Sequence, residues 1–81
     1  MTLTLVTPLK TESCKIIALE VDSLVGNLVI QKGHVPTIIT IKPYSDLIWT
    51  LPSGAQVKQK VSQGIADITR QGVTVIMERE V

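Results

Sequence analysis

The chain has 81 residues, 44% of them hydrophobic and 19% charged, the composition of one small globular domain and far from that of a disordered chain. Its formal net charge of +1, from eight Lys and Arg against seven Asp and Glu, supplies no electrostatic footprint for nucleic acid or for an anionic membrane surface. The single cysteine, Cys14, excludes an intrachain disulfide and any multi-cysteine metal site. A domain of this size buries only roughly 60–65% of the surface its unfolded chain exposes. With no Phe, one Trp and one Tyr, its core must be filled by Ile, Val and Leu, and branched aliphatics favour strands. No secretory h-region is present, and the apolar runs fall far short of the ~18–20 residues that span a bilayer. The chain therefore reads as soluble, inserting into no membrane and reaching one only through a partner.

In chain order, Thr2 to Leu5 alternates polar and apolar, which predicts a strand with Leu3 and Leu5 on one face, ended by Pro8. Lys10 to Ser13 reads as a polar link. Lys15 to Val21 reads as one strand with Ile17, Leu19 and Val21 on its core face. Asp22 and Ser23 then bend the chain. The central stretch Gly26 to Pro43 holds two apolar runs, Leu28 to Ile30 and Ile38 to Ile41, around a turn of Gln31, Lys32, Gly33, His34 and Pro36. Glycine there is free to take positive φ and proline fixes its own. This is strand, turn, strand, with a small, polar, basic tip on a stiff scaffold, and it is the first candidate for a docking element. Ile38 to Ile41 is apolar on both faces, so a second contact is expected to cover its outside.

After Lys42-Pro43, Ser45 to Leu51 predicts a strand with Leu47, Trp49 and Leu51 on one face, and Pro52-Ser53-Gly54 a turn. Gln56 to Val61 carries Lys58 and Lys60 and few apolar groups, the pattern of an edge strand protected against pairing with another chain. Ile65 to Thr69 and Val73 to Met77 flank Arg70-Gln71-Gly72 as a hairpin, with Gly72 where positive φ is wanted and Val73, Val75 and Met77 on the core face. The sum is about eight to ten short strands and no helical segment. The expected fold is an all-β, flattened β-sandwich formed by a single domain, residues 1–81.

Chemistry finds little to work with. One histidine, one cysteine and scattered carboxylates offer no nucleophile beside a base, no paired metal ligands and no cofactor site. The expectation is a protein that is not itself an enzyme. His34 admits an acid/base or metal-ligand reading, against the plainer one that it orders the Gly/Pro turn by hydrogen bonding to the backbone. Cys14 reads as a small hydrophobe. Gly26, Gly54 and Gly64 form no phosphate loop, because no helix follows them.

Gly26-Asn27-Leu28-Val29-Ile30-Gln31-Lys32-Gly33-His34-Val35-Pro36, followed by an apolar strand and Lys42-Pro43, resembles the epsilon subunit of F-type rotary ATP synthases. Leu3 to Pro8, Ser62 to Ile68 and Gly72 to Ile76 are similar to that family's first strand and closing hairpin, so the likeness runs end to end. Asn27 stands where glutamate is common, Val29 where glycine is common, Lys32 where proline is, and Gln63-Gly64 replaces Gly-Gly. The resemblance implies a non-catalytic central-stalk subunit between gamma and the membrane ring of c subunits, coupling proton or sodium transport to ATP synthesis at the cytoplasmic face of the inner membrane. It places Asn27, Gln31, Lys32 and His34 against the c ring, and Ile38, Ile39 and Thr40 against gamma. On that reading Ile39→Asp blocks assembly with gamma and leaves the sandwich folded. The helical hairpin that usually follows the sandwich is missing from this sequence, which implies coupling without ATP sensing or inhibition. The alternatives are a free-standing β-sandwich adaptor that has lost the rotor role and, more remotely, a small hydrolase-like enzyme using His34.

Overall fold

The computed structural model describes residues 1–78. They form nine strands: β1 (Thr2–Val6), β2 (Thr11–Lys15), β3 (Ala18–Ser23), β4 (Gly26–Gln31), β5 (Thr37–Ile41), β6 (Ser45–Thr50), β7 (Gln56–Val61), β8 (Gly64–Ile68) and β9 (Gly72–Met77). Hydrogen bonds join them in the order β2-β1-β9-β8-β5-β3-β6-β7, with β4 on the other side of β3. Laid flat, eight strands about 4.8 Å apart would reach roughly 34 Å, yet the longest dimension is 26 Å and the shortest 18 Å. The sheet folds over on itself where β3 meets β5, a junction that pairs only Ser23 with Ile41. The result is two layers, β4-β3-β6-β7 on β5-β8-β9-β1-β2, the expected β-sandwich.

Alternation decides what lies between the layers. Leu3 and Leu5 of β1, Leu19 and Val21 of β3, Leu47 and Trp49 of β6, and Val73, Val75 and Met77 of β9 all face inward and are buried. Ile30, Ile41, Val61, Ala66 and Ile68 complete the core. Side chains on the opposite faces of the same strands stay at least partly exposed, as period 2 requires. The lysine-bearing strand is at an edge: β7 pairs with β6 alone, and Lys58 and Lys60 both reach Asp46 across that pair at 3.4 Å.

Several local expectations give way. Thr11 to Ser13, expected as link, pair with β1 as part of β2, since an exposed polar edge strand needs only a neighbour's backbone. The expected single strand over Lys15 to Val21 is broken at Ile16-Ile17, where the chain crosses from one layer to the other. Ile16 donates its N–H to the Met1 carbonyl at 2.9 Å and Ile17 donates to that of Thr50 at 2.9 Å, one residue bound to each layer. The crossing reverses the faces: Ile16 is 1% exposed and Ile17, expected in the core, is 53% exposed.

The two arms of the central stretch do not pair with each other. β4 pairs with β3 in one layer and β5 with β8 in the other, so the turn between them is an interlayer connection. Gly33 has the expected positive φ, 85°. Gly72 does not; its constraint is proximity, because a Cβ there would run into the Thr2 carbonyl oxygen where β9 and β1 begin their parallel pairing.

Candidate docking surfaces

β4 carries most of the candidate ring-contact residues, and the structure separates them along its length. Asn27 lies opposite Asp22, at the end next to the β3–β4 turn, and its Nδ2 donates to Asp22 Oδ1 at 2.7 Å. Gln31 lies opposite Ala18 at the other end. Four residue steps of strand at ~3.3 Å each put roughly 13 Å between them. Gln31, Lys32 and His34 stay together, and Asn27 does not join them.

The Gln31 end is held from outside its own layer. Gly33 donates its N–H to the Arg70 carbonyl at 3.1 Å, and Arg70 returns a bond from Nη1 to the Gly33 carbonyl at 3.4 Å, tying the turn to the β8–β9 loop. His34 donates its backbone N–H to Gln31 O at 3.1 Å, and its ring Nδ1 is 2.8 Å from the Val35 carbonyl. The imidazole is thus engaged with its own turn. Among the described residues no cluster of three or more His, Cys, Asp or Glu side chains is placed to hold a metal ion.

At the opposite end, the β3–β4 turn is closed by Ser23, which is 5% exposed. Its Oγ donates to the Gly26 carbonyl at 2.8 Å and accepts from Val25 N–H at 3.2 Å. With the serine turned inward, Leu24 and Val25 project outward, 64% and 92% exposed. Sequence reasoning assigned them no role, because it placed the bend at Asp22 and Ser23, just before them. Their signal was position: both occupy a two-residue turn, where side chains have nothing to pack on.

The candidate gamma-contact residues divide by strand alternation. Ile38, 68% exposed, and Thr40 face outward from β5. Ile39 is half-buried and packs against the core, so Ile39→Asp tests folding before it tests any contact, contrary to the sequence expectation. Two residues absent from that expectation join the outward face. Thr40 pairs with Ile65 of β8, and Ile65 with Ile76 of β9; both isoleucines are substantially exposed. A cleft of about 300 Å³ lined by Leu24, Val25, Ile38, Ile39 and Thr40 joins this face to the β3–β4 turn, so Ile39 borders the cleft as well as the core. A second cleft of about 430 Å³ continues it through Thr40, Ile65 and Ile76 toward Pro43 and Glu78. A largely aliphatic surface therefore runs from the turn across the outside of a layer, joined through Thr40 and bordered by Asp67 opposite Ile38, and it is more than the scattered single hydrophobics normal on a monomer. No helix of the described residues is long and apolar enough to cross a membrane.

Residues 1–81 match the family described as ATP synthase, Delta/Epsilon chain, beta-sandwich domain. No curated protein matches the chain. Among solved structures, the fold is similar to a chain of the Euglena gracilis mitochondrial ATP synthase, seen by cryo-EM as OSCP/F1/c-ring in rotational state 1. The TM-score is 0.89 and the identity 20%, covering 98% of this chain and 51% of that one. It is also similar to a chain of the Tetrahymena thermophila mitochondrial ATP synthase central stalk and c-ring, with TM-score 0.80 and 14% identity, covering 99% of this chain and 64% of that one. The present chain thus spans about half to two thirds of the length of these relatives.

Proposed function

This chain belongs to the family of ATP synthase delta/epsilon chain beta-sandwich domains, and from that membership we propose that it is a non-catalytic central-stalk subunit held between gamma and the c ring. In that role it supports the coupling of proton or sodium transport to ATP synthesis and is peripheral to the membrane, which it meets through the ring. The observation that carries this reading is the largely aliphatic surface from Leu24 and Val25 through Ile38 and Thr40 to Ile65 and Ile76, with Asp67 beside Ile38 at its border. A part clamped between two neighbours needs two adjoining contacts, a face and a tip, and this surface supplies both.

Ile38, Thr40, Ile65 and Ile76 are assigned to gamma. The tip at Leu24, Val25 and Asn27 is assigned to the ring. The ring assignment keeps Asn27 from the sequence expectation and releases Gln31, Lys32 and His34, which lie at the far end of β4. Burying on the order of 100–200 Å² of aliphatic side chain at ~25 cal/mol per Å² is worth a few kcal/mol, enough for single residues to dominate the contact.

The test is capture of this chain by gamma. Ile38→Asp should abolish capture while leaving the melting temperature within a few degrees of wild type, because the side chain is exposed and the like-charge pair it makes with Asp67 across the strand costs only about 0.5 kcal/mol. Undiminished capture by a folded Ile38→Asp variant would remove the gamma assignment. Leu24→Asp with Val25→Asp should weaken attachment to the c ring and leave capture by gamma intact.

A further inference from the structure

The net charge of +1 conceals an uneven distribution. The end of the sandwich that holds the β4–β5 turn is assembled from five segments: the start of β1, the Lys15–Ala18 crossing, the turn itself, the β6–β7 connection and the β8–β9 loop. Thr2 N–H to Gln71 O at 3.3 Å, Ile16 N–H to Met1 O, Ile17 N–H to Thr50 O and Gly33 N–H to Arg70 O hold them together. These segments contain Lys15, Lys32 and Arg70 and no Asp or Glu. Glu20 and Asp67 come nearest in register, each further into its strand, opposite Val29 and Ile38. The rest of the described chain holds four lysines and all six carboxylates. Ion pairing follows the same division: Lys10 reaches Glu12 at 3.1 Å, and Lys58 and Lys60 reach Asp46 at 3.4 Å, whereas no described carboxylate pairs with Lys15, Lys32 or Arg70.

We propose that this end of the sandwich docks on a carboxylate-rich protein surface, a contact additional to those assigned to gamma and the ring. Three observations favour that partner. The cations come from three separate elements, and Arg70 gives one Nη1 bond to Gly33 O, which leaves other N–H donors of its guanidinium for a carboxylate. Three side-chain cations fall below the clusters of about four to eight that hold a protein on an anionic lipid surface. Trp49 is buried and Tyr44 belongs to the opposite end, beside Ser62, so no aromatic ring is offered here on which a nucleic acid base could stack. Exposed Ile17 and Val35, and the amides of Gln31 and Gln71, complete the mixed apolar and hydrogen-bonding surface typical of a protein contact.

The experiment measures binding of the chain to fluorescent poly-L-glutamate at low and physiological salt, beside phosphatidylserine-containing vesicles and single-stranded DNA. It requires neither gamma nor ring, so its outcome is separate from that of the rotor assignment. Binding to poly-L-glutamate should weaken with salt and fall about tenfold in Lys32→Glu/Arg70→Glu, and less than about twofold in Lys42→Glu, a charge reversal at the other end. Arg70 also braces the turn, so Lys15→Glu, an exposed site on β2, provides a second variant and should weaken binding in the same direction. Absence of binding, equal loss in Lys42→Glu, or preference for vesicles or DNA would overturn the proposal.

Discussion

The two ends of β4 are five residues apart in one strand and present different chemistry. At the Gly26 end a buried serine closes a two-residue turn from inside, and the turn's own side chains, Leu24 and Val25, are pushed into solvent. At the Gln31 end the turn is braced from the other layer by Arg70, and it presents the cation of Lys32 and the polar Gln31 and His34 beside the exposed Val35. A strand spends its alternation on the sheet it belongs to, and its ends are free to differ. The lesson is that a contiguous motif is not a contiguous surface: residues of one motif can serve different partners once a strand separates them.

The largest test of this comparison removes what both ends share. Ile30 is fully buried in β4, and Ile30→Ala should cost about 2–5 kcal/mol, which in a domain this small lowers the melting temperature by about 8 °C or more. Thermal unfolding followed by circular dichroism reads it. A change under about 1 kcal/mol would mean that β4 is not anchored through its centre and that the two ends are not a fixed distance apart.

Next in size, Gly72→Ala should cost about 1–3 kcal/mol, because the added methyl meets the Thr2 carbonyl and forces β1 and β9 apart. The damage belongs to the cationic end, where the β8–β9 loop braces the turn. Amide exchange should accelerate at Gly33 before it accelerates at Val25. Equal acceleration at both would show that the ends are coupled after all.

Ser23→Ala should cost about 1 kcal/mol, since it leaves the turn without its internal donor and acceptor. The loss should raise amide exchange at Val25 and leave Gly33 protected. Arg70→Ala is the smallest change, about 0.5 kcal/mol, because its bond to Gly33 is long, 3.4 Å, and exposed. A cost above about 2 kcal/mol for Arg70→Ala would mean that the guanidinium, and not the backbone bond from Gly33 to Arg70, fixes the cationic end.

What the sequence determined by itself followed from local physics. Period 2 in Thr2 to Leu5, Ser45 to Leu51 and Val73 to Met77 placed Leu3, Leu47, Trp49, Val75 and Met77 in the core, because a strand's alternation is a property of its own backbone. The Gly33 turn and the lysines of β7 were legible for the same reason: φ preference and edge protection are both read residue by residue. Family membership was legible too, through the Gly-His-x-Pro stretch and its flanks.

Tertiary structure decided whatever depends on which layer a residue enters. Ile16 and Ile17 are chemically the same, and only the crossing between layers buries one and exposes the other. Ile38 and Ile39 are separated by the same rule, since an apolar run on both faces carries no mark of which face turns inward. The parallel pairing of β1 with β9, the closeness of Gly72 to Thr2, and the gathering of Lys15, Lys32 and Arg70 at one end join positions far apart in the chain. No local propensity encodes such meetings; they follow from folding one sheet over on itself so that its layers share a single core.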